Sequence, residues 1–352
     1  MEEKVSVIGT VGLPACYGGF ESLVENLVRY KSKKINYHVY CSKGSYKARP
    51  DKVDGAELTY IPLKANGIQS VPYDILSMSH CMLFKRPDVI LILGVSGCIF
   101  LPFLRLFTKS KIVTNIDGLE WRRDKWGAFA KKFLKFSESV AVKFSDVIIA
   151  DNKAIGDYVT AEYTKNNEII AYGGDHAIRE FDVESEQQDY ALGLCRIEPE
   201  NNVEMILKAF SQTNKNLKFV GNWSSSEFGK KLKSTYSNFE NIDLLDPIYN
   251  LDQLYVLRKN CSLYLHGHSA GGTNPSLVEM MHFGVPIYVF DCDFNRYSTE
   301  EKASYFSDEN QLILKLKSLD SELAANGLAM KEIALRRYTW EKVASLYEST
   351  YK

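Results

Sequence analysis

Three stretches of the chain concentrate the residue types that could hold a phosphate-bearing ligand. The first is residues 9–21, GTVGLPACYGGFE, directly after a short apolar run. Its glycines, including Gly18 and Gly19, let the backbone approach a ligand, and a helix opening at Phe20 would aim free N–H groups at it. The spacing is neither GxGxxG nor a Walker loop, so a tight structural turn explains the stretch equally well. The second is residues 266–279, HGHSAGGTNPSLVE. Pro275 suits a first helical turn, with Thr273 or Asn274 as cap. The amides of Gly271, Gly272, Thr273 and Asn274 would then face an anion such as a diphosphate. Glu279, one turn inside, could accept hydrogen bonds from a pair of ribose hydroxyls; the plainer alternative is a capped helix with a surface glutamate. The third is residues 193–202, GLCRIEPENN. Arg196, at the end of a strand, suits bidentate contact with a phosphate. An ordinary ion pair with Glu198 or Glu200 would account for it as well.

These loops need strands to hold them. Short β-branched runs alternate with helical patterns along the whole chain, the signature of an α/β protein with doubly wound parallel sheets. The expected strands of the first half are residues 5–8, 37–41, 58–61, 89–93, 111–115 and 147–150, with helices at 20–30, 73–84 and 127–144. The pattern restarts near residues 169–175, where residues 169–171 read as a strand and 176–189 as a polar connector. The second series has strands at 190–194, 217–220, 242–244, 263–266 and 287–290. Its helices fall at 203–212, 227–237, 252–259, 275–283 and 311–326. Two Rossmann-like domains, 1–172 and 173–337, are therefore expected. The final helix, 338–351, has an apolar face that would pack back on the first domain. Facing domains of this kind leave a cleft at the carboxyl ends of both sheets, where ligands usually bind.

Composition narrows the function classes. The chain has 352 residues, 45% hydrophobic and 25% charged, with a net charge of -1, which gives no general attraction to nucleic acid. Its seven cysteines are scattered without metal-ligand spacing, as expected of free thiols in a reducing cytoplasm. The N-terminus shows no signal-peptide pattern. Residues 89–107 are nearly all apolar, but glycines, Pro102 and Arg105 interrupt them. A buried strand, a turn and a core helix fit better than a membrane span.

Taken together, the run from Gly18 to Glu21, residues 115–123 (NIDGLEWRR), Arg196 with residues 199–202, and residues 271–279 resemble glycosyltransferase family 4. Within it they are most similar to bacterial rhamnosyltransferases of polysaccharide assembly, and the resemblance continues to residues 340–343. It implies a GT-B fold, a nucleotide-sugar donor held mainly by the C-terminal domain, retention of anomeric configuration, and no metal or other cofactor. Asp291 and Asp293 spell DxD, but they follow the last expected strand and read as structural. Two departures matter. The family's lysine beyond the arginine is replaced by Glu200, Asn201 and Asn202, which leaves Arg196 as the main side-chain cation at the diphosphate. Gly271 stands where the family often has a glutamate contacting donor-sugar hydroxyls. A 6-deoxy sugar such as L-rhamnose, on a dTDP carrier, fits that change; a UDP- or GDP-sugar is the nearest alternative, and a non-catalytic two-domain binder another.

On the acceptor side, Asp117 at a strand end is the best candidate for a catalytic or acceptor-positioning carboxylate, or else a cap before Gly118. Glu120, Trp121 and Arg122 would form the wall of a saccharide site, the saccharide being lipid-diphosphate-linked. Residues 122–143 interleave lysines with aromatics. Such a helix could rest on the inner face of the plasma membrane, or bury its rings and leave its lysines in water.

Overall fold

The computed structural model describes residues 2–16, 18–122, 126–180, 188–318 and 323–352. The chain forms two compact units: residues 1–171 with 340–352, and residues 172–339. Unit 1 runs β1 (Glu3–Ile8), α1 (Gly19–Tyr30), β2 (Ile35–Ser42), β3 (Lys52–Val53), β4 (Ala56–Ile61), α2 (Ser70–His80), β5 (Val89–Leu93), α3 (Leu101–Phe107), β6 (Lys111–Asn115), α4 (Ala128–Phe144), β7 (Val147–Ala150), α5 (Lys153–Tyr163) and β8 (Glu168–Ile169). Its sheet order is β3-β4-β2-β1-β5-β6-β7-β8, with only the β3–β4 pair antiparallel among the described strands. The central strands are continuous apolar runs because both faces are covered by helices; β5 (VILIL) is buried along its whole length.

Unit 2 runs β9 (Ala191–Leu194), α6 (Val203–Phe210), β10 (Leu217–Val220), α7 (Glu227–Tyr236), β11 (Ile242–Leu245), α8 (Leu251–Asn260), β12 (Leu263–His266), α9 (Pro275–Met281), β13 (Ile287–Phe290), α10 (Asp293–Ser298), β14 (Ser304–Phe306), α11 (Glu309–Lys317) and α12 (Leu323–Arg337). The sheet order is β11-β10-β9-β12-β13-β14, parallel at every described pair. Its core gathers Phe210, Phe219, Trp223, Tyr288 and Phe306. Helix starts follow side-chain caps: Ser226, Asn250, Asn274 and Asp308 each accept from an amide in the first turn, replacing water at donors that have no helical partner.

A last helix, α13 (Trp340–Tyr351), returns to unit 1. It packs on α1, with Tyr37 and Tyr351 joined through their hydroxyls at 3.0 Å and the Ser32 amide donating to Glu348 at 2.6 Å.

Several boundaries differ from expectation. The units part between Ala171 and Tyr172, and Tyr338 with Thr339 stay in unit 2, where the Tyr338 carbonyl accepts from the Gly174 amide and from His282 Nε2. The strand expected to open the second half is Glu168–Ile169, and it pairs with β7 in the first sheet. The single helix expected at 311–326 is two, α11 and α12; residues 319–322 lie outside the described set. The helix expected at 73–84 starts at Ser70 and ends at His80. A π turn over Cys81–Lys85 follows, closed by Arg86 in the left-handed region. Among the described residues no helix is long and apolar enough to cross a membrane.

Candidate functional site

In unit 2 the strand order reverses at β9, which lies between β10 and β12. Loops leaving the carboxyl ends of the two strands at such a switch point are where open α/β sheets bind ligands. Arg196 follows β9, and residues 267–274 follow β12, so the sheet brings both expected donor segments to one place. Their loops are stitched together. The Asn201 side chain donates from Nδ2 to the Arg196 carbonyl at 2.7 Å, and its Oδ1 bonds His268 Nδ1 at 2.7 Å. Asn202 Nδ2 donates to the Gly267 carbonyl at 2.8 Å, and the Ser269 amide and hydroxyl both donate to the Glu200 carbonyl. Gly267 allows this approach, since a Cβ there would sit 2.2 Å from the Asn201 carbonyl oxygen.

The Arg196 guanidinium is half exposed and lies 3.7 Å from Glu198. A pair so open to water is weak and leaves the cation able to exchange partners. Gly271 has φ +116, a conformation that side-chain-bearing residues rarely adopt. Thr273 is buried, and Asn274 caps α9 by accepting from the Ser276 amide at 3.0 Å and the Ser276 hydroxyl at 2.7 Å. Tyr264, on β12, donates to that same hydroxyl at 3.1 Å.

Glu279 is not the surface residue that its alternative reading allowed. Its side chain is largely buried, with Oε2 held by Arg258 of α8 and Oε1 3.3 Å from His176 Nε2. Burial alone would raise the carboxyl; the Arg258 guanidinium and His176 overcome it and bring it to about 2. The carboxylate is therefore anionic throughout the physiological range. Its two partners occupy two of roughly four lone-pair directions, which leaves acceptor capacity for a ligand hydroxyl. Gly174 packs directly under this helix, its α-carbon facing the backbone of Val278 and Glu279, and so seats His176. Met280 and Met281 are core residues. Asp291 is occupied too: Arg296 binds its two oxygens at 2.6 and 2.8 Å.

In unit 1 the glycine loop is built around a carboxylate that spacing alone did not single out. Glu21 is buried and its Oε1 accepts from the Val11 amide at 2.7 Å and the Thr10 hydroxyl at 3.0 Å. Gly9, at φ +94, runs against the Leu93 carbonyl. Gly18 precedes α1 at φ 136 and Gly19 is its first residue, with the Gly18 α-carbon facing Glu21 Oε2. Tyr17 lies outside the described residues. Asp117 follows β6 at φ +61, and its amide donates to Asn115 Oδ1 at 2.9 Å. Asn115 Nδ2 in turn donates to the Tyr347 hydroxyl oxygen of α13 at 2.7 Å.

Glu120, Trp121 and Arg122 form one 3-10 turn. Trp121 Nε1 donates to Glu138 Oε2 at 3.1 Å, while the Tyr158 and Tyr163 hydroxyls each donate to Glu138 Oε1 at 2.6 Å. Lys135 lies 4.8 Å from the Trp121 ring centre, 4.7 Å from that of Tyr158 and 2.9 Å from Glu162. Arg122 covers the Trp121 ring at 5.0 Å. Lys135 is thus drawn into an aromatic box, whereas Lys132 and Lys143 are exposed beside exposed Phe129 and Phe136. Arg123, Asp124 and Lys125, and residues 181–187 of the expected connector, lie outside the described residues.

In unit 2 loop bonds join the Arg196 segment to the start of the 267–274 segment; in unit 1 Gly18 and Gly19 follow β1, and Asp117 and Glu120–Arg122 follow β6. Sequence spacing missed Arg258, His176 and Tyr347 and gave no role to Asn201, His268 or Glu138, because the partners that define those roles are brought together only by the fold. The capping pattern at Asn274 was readable locally.

Residues 2–175 match a family described as a domain of unknown function (DUF1972), and residues 175–320 match glycosyl transferases group 1. The group 1 glycosyl transferase match falls within unit 2. Among solved structures the chain is similar to sucrose-phosphate synthase from Thermosynechococcus elongatus, at TM-score 0.82 and 13% identity over 99% of this chain and 98% of that one. Anabaena HepE in complex with UDP-glucose follows at TM-score 0.74 and 11% identity, over 99% of each chain. The catalytic domain of starch synthase IV from Arabidopsis thaliana, bound to ADP and acarbose, gives 0.72 and 11%, over 100% and 99%. At these identities the likeness is one of fold: two Rossmann-like parallel-sheet domains, as in GT-B glycosyltransferases. No curated protein sequence matches this chain.

Proposed function

We propose that this protein is a retaining glycosyltransferase that moves L-rhamnose from dTDP-rhamnose to a lipid-diphosphate-linked saccharide during cell-surface polysaccharide assembly. The group 1 domain supports glycosyl transfer. The observation that carries the donor side is Glu279, kept anionic by Arg258 and His176 on the helix that opens beside the Arg196 loop. A fixed anion suits the two hydroxyls of a ribose. For a deoxyribose, as in dTDP, it meets the single remaining hydroxyl. Arg196 would fork onto the diphosphate while the Gly271, Gly272, Thr273 and Asn274 amides line it, with no metal cofactor.

In this reading the anomeric C–O bond to phosphate breaks and a new C–O bond forms to the acceptor hydroxyl, whose proton passes to the departing phosphate oxygen. Arg196 stabilises the charge that develops there. Gly18 and Gly19 approach the donor, Asp117 positions the acceptor hydroxyl, and Glu120, Trp121 and Arg122 flank the acceptor saccharide. Work on the cytoplasmic side, with peripheral membrane contact through residues 122–143, belongs to the same reading.

A UDP-sugar is the second reading, favoured by the likeness to HepE, whose structure holds UDP-glucose. A panel of dTDP, UDP and GDP in thermal-shift assays separates the two, because only the proper base stabilises the fold strongly. Incubation with dTDP-rhamnose and a synthetic lipid-diphosphate saccharide, followed by NMR of the product, tests the transfer itself. A rhamnosylated product with retained configuration is expected. Nucleotide binding without turnover on any acceptor or water would instead mark a non-catalytic binder.

A further inference from the structure

The crossovers β4→β5, β5→β6 and β6→β7 all advance in one direction along the first sheet. Right-handed connections therefore place α2, α3 and α4 side by side on one face, opposite α1. Two bonds tie their lower ends: Arg105 Nε of α3 donates to the Phe144 carbonyl of α4 at 2.8 Å, and Ser110 Oγ donates to the Pro87 carbonyl beyond the π turn at 2.5 Å.

This face is apolar where it meets water. Phe84, Leu106, Phe107, Phe129 and Phe136 are 60% to 86% exposed. On α4 the exposed stripe alternates in kind, with Phe129, Lys132, Phe136 and Lys143 at helical spacing. The described helices α2, α3 and α4 and the π turn carry two carboxylates, Asp74 and Glu138, and both are buried. Lys85, Arg105, Lys131, Lys132, Lys135 and Lys143 lie on the same elements. Lys85 and Arg105 are paired to the exposed carboxylates of Glu57 and Asp146 at the rim of the face, but large rings pointing outward beside the exposed Lys132 and Lys143 have the composition that partitions into the headgroup layer of an anionic membrane.

We infer that the α2–α3–α4 face of unit 1 docks on an anionic lipid surface, with Phe84, Leu106, Phe107, Phe129 and Phe136 entering the interface and Lys132 and Lys143 meeting lipid phosphates. This extends the membrane contact of the preceding reading from one helix to three. It needs nothing from the donor chemistry, so failure of the transferase reading leaves it standing. Lys135 takes no part, because Tyr158, Glu138 and Glu162 already hold it.

The test is cosedimentation of the full chain with vesicles of phosphatidylglycerol and phosphatidylcholine, against phosphatidylcholine alone, at 0.15 M salt, near physiological ionic strength. The wild type should pellet with the anionic vesicles and at least tenfold less with the neutral ones. A Leu106→Ser/Phe107→Ser/Phe129→Ser/Phe136→Ser variant and a Lys132→Glu/Lys143→Glu variant should each lose binding at least tenfold. Every changed side chain is exposed, and unchanged circular dichroism and Tm would show that both variants are folded. Binding of the serine variant at the wild-type level would overturn the inference, as would failure of the wild type to bind anionic vesicles. So would a wild-type dimer, seen by light scattering, that the serine variant splits while vesicles are ignored. The face would then join two copies of this chain.

Discussion

Asn115 stands between Tyr347 and Asp117, donating to the phenolic oxygen of one through Nδ2 and accepting the backbone amide of the other through Oδ1. The helix from residues 340–351 thereby fixes the end of β6, where Asp117 sits at φ +61. A residue with a side chain persists there only when its surroundings hold it. Tyr347→Phe should leave buried Asn115 Nδ2 without its acceptor and lower unfolding stability by about 1–3 kcal/mol. Calorimetry reads that loss. If Asp117 positions the acceptor, turnover should fall while dTDP affinity, measured by titration calorimetry, stays unchanged.

The Glu279 carboxyl lies at about 2, below its ordinary value of 4.5. Its stabilising effect is therefore complete above about pH 4.5 and is lost as pH falls toward 2. Wild type should exceed Glu279→Gln by on the order of 3 kcal/mol at neutral pH. The gap should close between pH 4.5 and 2 in urea titrations. Arg258→Met removes the guanidinium and leaves burial to push the carboxyl upward, with His176, His282 and the Tyr264 hydroxyl still nearby. Nucleotide binding by that variant should become pH-dependent between about pH 5 and 8, as buried carboxyls titrate there. A flat profile would show that Arg258 does not control the charge of Glu279.

Asp74 behaves in the opposite sense. Burial pushes its carboxyl up to about 8, against the Gly97 amide that donates to it at 3.1 Å. The native state prefers the protonated form, so this group's contribution is complete below about pH 4 and lost as pH rises through 8. Asp74→Asn should gain on the wild type steadily between about pH 4 and 8 and level off above, read from urea midpoints. A constant difference across that range would contradict the shift.

Gly9 runs at φ +94 with the Leu93 carbonyl oxygen 2.1 Å from where a Cβ would lie. Gly9→Ala should cost about 3 kcal/mol or more, because both strain and backbone overlap arise. Gly127, with open space around its α-carbon, should accept alanine within about 1 kcal/mol. Comparing the two melting temperatures checks the contrast.

Five of the six described strands of unit 2 could be read from the sequence almost to the residue, as at Leu217–Val220, Leu263–His266 and Ile287–Phe290, whereas the edge strand Ser304–Phe306 was not expected. Buried parallel strands are short, uninterrupted apolar runs, and that signal is local. Helix ends were less readable. The stretch expected to be one helix at 311–326 contains two, and the turn after His80 changes to π geometry, since tertiary packing decides where a helix stops. Arg196 and the segment from Gly271 to Glu279 stood out because glycine, arginine and a helix start lay close in the chain. Arg258 and His176 did not. Each is an ordinary residue until the fold brings it to Glu279. Lys135 shows the reverse error: in sequence it belongs with the basic stripe, and in space it belongs to the box around Glu138.

Because the chain leaves unit 1 at Ala171 and re-enters it at Trp340, a ribosome must deliver all of unit 2 before α13 exists to close the surface around Tyr37 and Asn115. During synthesis unit 1 waits with that surface wet, while unit 2 has its whole sequence in hand first. Nascent-chain proteolysis should therefore find the later-made unit protected before the earlier one.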